Sequence, residues 1–131
     1  MGGGEAMVVI AGLGCRRNCG AASIIALVRA AAAHAGRTVT RLAAPDFKTD
    51  EPGLREAAYT LGLPLVPVTR DALEAVQARC QTHSARAARA AGVSSVAEAS
   101  ALAEAGPLGR LVLPRIAAGG ATCALAEAPF P

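Results

Sequence analysis

Residues Ala6 to Gly12 read AMVVIAG, a short run with no polar residue in it. A strand with one face in water alternates apolar and polar side chains. This one does not, so it reads as a strand buried on both faces, and β-branched Val8, Val9 and Ile10 favour that state. Such a strand needs cover above and below, which points to helices on both sides of a sheet. The rest of the chain supplies them. Ala21 to Ala35 sets Ile24, Ile25, Leu27 and Val28 on one side and stops at Gly36. Thr38 to Ala43 is a second strand. Asp50 can cap a helix that has Glu51 and Pro52 in its first turn and closes at Gly62. Leu63 to Val68 is a third strand, placed near an edge or bulge by Pro64 and Pro67. Thr69 to Cys80 reads as a short helix, and Gln81 to Gly92, rich in Ala and Arg, as a further turn or two. Ser95-Val-Ala-Glu98 is a capping box opening a helix that ends at Gly106. Residues 111–114 and 121–126 are the last strands, with Gly119-Gly120 as a return hairpin. The alternation predicts one α/β domain over residues 1–131. It has three layers, α/β/α, around a mostly parallel five-stranded sheet whose last strand is antiparallel.

Composition narrows the functions. At 131 residues and 53% hydrophobic, the chain has enough apolar content for a packed core. The aromatics are Phe47, Tyr59 and Phe130, so stacking of bases or flat ligands has little support. Arg, Gly or Pro interrupts every apolar stretch before it could span a bilayer, and Met1 to Ala6 lacks the pattern of a secretory leader. A cytoplasmic, membrane-free protein is expected. The net charge of +3 is almost all arginine, with Lys48 the single lysine. That excess is too small and scattered for nucleic acid, but suits a small acidic ligand, since Arg pairs carboxylates bidentately. In a reducing compartment Cys15, Cys19, Cys80 and Cys123 stay free. Cys15 and Cys19 have no matching second pair, so neither metal nor cofactor is expected.

Open α/β sheets bind ligands beyond the carboxyl ends of their strands. Two loops fall there, Gly12 to Gly20 and Ala44 to Glu51. In the first, Gly12 and Gly14 let backbone approach a ligand, Arg16 and Arg17 add charge, and the following helix start offers free N–H groups. Together they form a carboxylate or phosphate cradle; the plainer alternative is a tight turn with two exposed arginines. The dinucleotide fingerprint fails, because Arg17 stands where its third glycine would be and no acid ends the second strand. The P-loop fails for want of Gly-Lys-Ser/Thr. In the second loop, Asp46 and Lys48 share a side if the segment is extended. They serve as a proton-transfer or ligand-binding pair, or as a surface ion pair, while Asp50 and Glu51 serve the helix start. Cys15 reads as a small buried thiol rather than an activated thiolate, since no His has a path to it. Neighbouring His83 and Ser84 point apart and make no Ser–His pair.

Several segments in order resemble one family. Gly12-Leu-Gly-Cys-Arg-Arg17 matches its G-x-G-C-R-R signature, and Asp46-Phe-Lys-Thr-Asp-Glu-Pro-Gly-Leu54 resembles its D-x-K-x-D-E-P-G-L loop. Leu61-Gly-Leu-Pro-Leu65, Gly92-Val-Ser-Ser-Val-Ala-Glu-Ala99 and the tail from Arg115 to Ala126 follow in place. The chain is thus similar to the family of CobE and the CbiG C-terminal domain, of cobalamin (vitamin B12) biosynthesis. The resemblance implies a three-layer α/β/α fold. It also implies a ligand among the tetrapyrrole precorrins, with other cobalamin-pathway enzymes as candidate partners. CbiG-type proteins open a lactone on a ring-contracted cobalt-precorrin and release a two-carbon fragment. They carry an additional N-terminal region, so a domain standing alone is expected to be of the CobE type. The chain departs from the family in having Gly20-Ala21-Ala22 where a serine and acidic residues commonly open the first helix, and in having Cys19. Three readings follow: a protein that binds a corrin-ring precursor, a hydrolase with Asp46 or Glu51 as general base, or a non-catalytic partner subunit. The expected binding set is Gly12, Gly14, Cys15, Arg16, Arg17, Asp46 and Lys48.

Overall fold

The computed structural model describes residues 7–82 and 95–130. The apolar run forms β1 (Met7–Cys15) at the centre of a five-stranded sheet. On one side β1 pairs in parallel with β2 (Arg41–Pro45), which pairs in parallel with β3 (Leu65–Val68). On the other side it pairs antiparallel with β5 (Ala121–Pro129), whose outer neighbour is β4 (Arg110–Ala118). The order is β3-β2-β1-β5-β4, and the last strand alone runs against the rest. Helices α1 (Ala21–Ala35) and α2 (Pro52–Leu61) cover one face, where Ile24, Leu27 and Leu54 pack on Leu13, Leu42 and Leu125. Helices α3 (Arg70–Ala75) and α4 (Val96–Ala105) cover the other, where Leu73 and Leu102 pack on Ile10, Val68 and Ala126. The three-layer α/β/α architecture is the one the two-sided burial of β1 requires.

Local differences have physical causes. β1 does not end at Gly12 but runs to Cys15, because β5 pairs along its whole length, from Met7↔Pro129 to Cys15↔Ala121. Gly12 is therefore a strand residue rather than part of a turn. A Cβ there would strike the Ala97 carbonyl and Ala101, so this glycine lets α4 lie close on the sheet. β2 starts at Arg41 rather than residue 38; just before it, the Thr40 hydroxyl exchanges hydrogen bonds with Val9 backbone, at 3.0 and 3.1 Å. β3 begins two residues later than expected, at Leu65. The N-cap of α2 is Glu51, not Asp50: Pro52 occupies the first helical position, and the residue before a proline is driven out of the helical region, here to φ −62°, ψ 125°. The expected helix from Thr69 to Cys80 splits into α3, capped by the Thr69 hydroxyl, and a 3-10 turn over Gln77–Arg79. The last two strands are longer than their apolar centres, because the hairpin continues through small residues to Gly119 and Gly120. Both of these have positive φ, 61° and 83°, as the tight turn demands. The expected helical turns over Gln81 to Gly92 lie, from residue 83 on, outside the described residues.

Candidate functional site

Beyond Cys15 the chain makes a tight turn, closed by the Cys19 N–H donating to the Arg16 carbonyl at 3.1 Å, with Asn18 at φ 64°. Asn at the third position of such a turn accepts the left-handed conformation readily. Neighbouring elements pin the loop on two sides. The Arg16 N–H donates to the Gly120 carbonyl of the β4–β5 hairpin at 3.0 Å, and the Asn18 N–H donates to Glu51 Oε2 at 3.2 Å. The second loop is also a turn. Its Lys48 N–H donates to the Pro45 carbonyl at 2.8 Å and its Glu51 N–H to the Lys48 carbonyl at 3.0 Å.

Between these loops and the hairpin opens a cleft of about 830 Å³. It lies at the carboxyl end of β1, on the face of the sheet that carries α4, whose first residue Val96 lines it. Four cations from three segments reach it: Arg16 and Arg17 from the first loop, Lys48 from the second, and Arg115 from β4. Among the described residues no carboxylate lines it, and none of the four side chains makes a hydrogen bond or ion pair with another described residue. The floor between them is small and largely apolar: Gly14, Ala117, Ala121 and Thr122. Such a site is positive at its rim and apolar at its base, and its volume is in the range of small-molecule sites. It can hold an anion-bearing apolar molecule by charge-assisted hydrogen bonds.

Of the expected residues, Gly14, Cys15, Arg16, Arg17 and Lys48 come together in the cleft. Gly12 lies deeper in β1, under α4. Asp46 is exposed and does not line the cleft; the turn that carries Lys48 inward separates the two, and Asp46 takes part in structure through its backbone, its N–H donating to the Val68 carbonyl at 2.8 Å. The carboxylate of Glu51 is occupied by the Asn18 N–H. The start of α1 is also outside the cleft. It packs on the start of α2, where a Cβ on Gly53 would strike the Cys19 carbonyl and approach Ala21 N. The cations of the cleft are therefore side chains alone, without the helix end expected beside them. Burial pushes the Cys15 thiol above its ordinary range, against the pull of Lys48; Cys19 and Glu51 push it the same way as burial. It is a half-buried neutral thiol, and burial alone takes Cys123 to about 12.

Sequence reasoning missed Arg115, Phe47 and Glu98. Phe47 lines the cleft, with the Arg70 guanidinium 5.8 Å from its ring centre. Glu98 is fully buried, and the capping box is only half formed: the Ser95 hydroxyl accepts from the Glu98 N–H at 3.3 Å, but the Glu98 carboxylate points elsewhere. It accepts from the N–H groups of Gln81, Thr82 and Arg115 at 2.6, 2.9 and 2.9 Å and from the Thr82 hydroxyl at 2.6 Å. Burial raises its pKa, and these four donors together outweigh that and hold it below the usual carboxylate range. Among the described residues no cluster of three or more His, Cys, Asp or Glu is placed to hold a metal ion, and no helix is long and apolar enough to cross a membrane.

Comparison with known proteins gives consistent matches. Residues 9–126 match the model of the family described as cobalamin synthesis G C-terminus. Protein CobE of Sinorhizobium sp is 33% identical over 121 residues, covering 90% of this chain and 79% of that protein. The crystal structure of CobE, a protein from the cobalamin (vitamin B12) biosynthetic pathway, superposes with a TM-score of 0.86 at 38% identity, over 92% of this chain and 90% of its own. The cobalamin biosynthesis protein chiG from Agrobacterium tumefaciens str. C58 gives 0.74 at 46% identity, over 91% and 97%.

Proposed function

The chain belongs to the cobalamin synthesis G C-terminal family, as a CobE- and CbiG-like protein of cobalamin biosynthesis, and we propose that its cleft binds a corrin-ring precursor by the precursor's carboxylate arms. One observation carries this reading: Arg16, Arg17 and Lys48, without ion-pair partners among the described residues, converge on a largely apolar floor that no described carboxylate borders. Corrin precursors carry acetate and propionate arms around an apolar ring, which is the complementary pattern. Opening a lactone would require a general base in the cleft. Neither Asp46 nor Glu51 lines it, so binding is proposed ahead of turnover.

The test is titration of the purified protein with corrin intermediates, followed by absorbance. Arg16→Ala combined with Arg17→Ala should weaken binding at least ~10-fold, since each charge-assisted contact contributes on the order of 1–3 kcal/mol before screening. Equal affinity of the double variant and the wild type at low salt would place the ligand elsewhere.

A further inference from the structure

Arg115 reaches the cleft by an irregular route. β4 shifts register against β5 twice, between Leu111 and Leu113 and between Leu113 and Ile116. Alternation of side chains fails there: Val112, Leu113 and Ile116 all pack toward α1 and α2, whereas Leu111 packs toward α4. Bulges of this kind re-aim a side chain and are common beside functional sites. Pro114 has no N–H to give a ladder. The next N–H, that of Arg115, goes to Glu98 Oε2 at 2.9 Å. A fully buried carboxylate is costly to place, and one of its four hydrogen bonds from described residues fixes this bulge. The side chain anchored in this way stands in the cleft with no partner among the described residues.

The cations are also spread across the sheet. Lys48 follows β2, Arg16 and Arg17 follow β1, and Arg115 lies on β4, with β5 between. At 4.7–4.9 Å per strand, the backbone of Arg115 lies roughly 10 Å from the strand that ends before Arg16 and Arg17 and roughly 14 Å from the one that ends before Lys48, measured along the sheet. Cations that enter one cleft from separate strands can each hold a separate carboxylate. We propose that Arg115 is a specificity-determining residue that binds a second carboxylate arm, on a different edge of the ligand from the arm held by Arg16 and Arg17. The cleft then selects macrocycles with carboxylates on more than one edge. The inference rests on the reading of this cleft as a carboxylate-binding site.

Two porphyrins serve as probes because they differ in where their arms lie. Coproporphyrin I carries one propionate on each of its four rings; protoporphyrin IX carries two, both on one edge. With Arg115→Gln the affinity for coproporphyrin I should fall about 10-fold, the worth of one charge-assisted pair, while that for protoporphyrin IX stays within about 2-fold. The substitution keeps the backbone N–H that Glu98 holds, and an unchanged melting temperature verifies the fold. Equal losses for both probes, or no loss for either, would overturn the role of Arg115 and leave the cleft reading intact. Absence of binding of both probes and of corrin intermediates to the wild type would instead overturn the cleft reading itself.

Discussion

Where β1 begins, Arg37 and Arg110 both reach Glu127, at 2.8 and 2.7 Å, and Arg41 reaches Glu104 at 2.7 Å. Where β1 stops, Arg16, Arg17, Lys48 and Arg115 share a cleft that no described carboxylate lines. The chain has acids near the cleft end as well. Asp46 faces outward, Glu51 is bonded to backbone and Glu98 is buried with its oxygens filled. The contrast separates two uses of arginine. At one end the guanidinium groups neutralise the protein's own carboxylates; at the other, on the proposed reading, they are left for a charge brought from outside. Cations without a partner among the described residues are more informative about a ligand than the net charge of the chain.

Glu98 bears hardest on that contrast, because it underlies the cleft without entering it. Glu98→Ala should destabilise the protein by about 3–5 kcal/mol, since it leaves three N–H groups and a hydroxyl without their acceptor. Urea unfolding measures it. Glu98→Gln should cost less, because an amide still accepts at one oxygen. A loss below about 1 kcal/mol for Ala would mean that the bulge carrying Arg115 is held by strand pairing alone.

Glu127 is the corresponding group at the closed end, and a smaller effect is expected there. Its side chain is 5% exposed, but its partner Arg110 is 69% exposed, so solvent weakens the pair. Glu127→Gln should cost about 1–2 kcal/mol. Its pKa is lowered, first by the Arg37 hydrogen bond and then by Arg110, with burial opposing both. A carboxyl whose folded pKa lies below its unfolded value, about 4.3, adds stability that is complete above that value and is lost as the pH falls through the folded one. The same sign holds for Glu98. Acid unfolding should therefore be steeper in the wild type than in Glu127→Gln. Parallel pH profiles below pH 5 would show that Glu127 contributes nothing to acid sensitivity.

How much of this was legible depended on sequence distance. β1 was, because its burial on both faces is written in seven consecutive residues, and the stops of α1 and α2 were, because Gly36 and Gly62 take left-handed φ of 65° and 69°. That Arg16, Arg17 and Lys48 lie near one another is legible from loops adjoining strand ends. The place of Arg115 is not, since its direction depends on two register shifts against β5 that no local pattern encodes. Glu98 was misread for a related reason. Ser95 and Glu98 have the spacing of a capping box, yet the carboxylate's partners come from residues 81–82 and 115, which only folding brings near. An extended loop would set Asp46 beside Lys48, but the hydrogen-bonded turn brings only Lys48 to the cleft.

The smallest expected effect is the one whose sign separates the two ends. Arg110→Ala removes a favourable contact with Glu127 and should lower stability by a few tenths of a kcal/mol, up to about 1. Arg16→Ala with Arg17→Ala removes no contact with an acid. It takes two like charges away from Lys48 and Arg115, so stability should stay within about 0.5 kcal/mol of the wild type and move, if at all, upward. Salt gives an independent check, because it screens exposed charges beyond about 10 Å at 0.1 M. Raising ionic strength should narrow the gap between the wild type and Arg110→Ala, and should stabilise the wild type more than the Arg16/Arg17 double variant, which has less repulsion left to screen. Thermal melts of the three proteins at low and high salt read both comparisons. A double variant clearly less stable than the wild type at low salt would mean that these arginines hold the fold together, and that the open end is not free for a ligand.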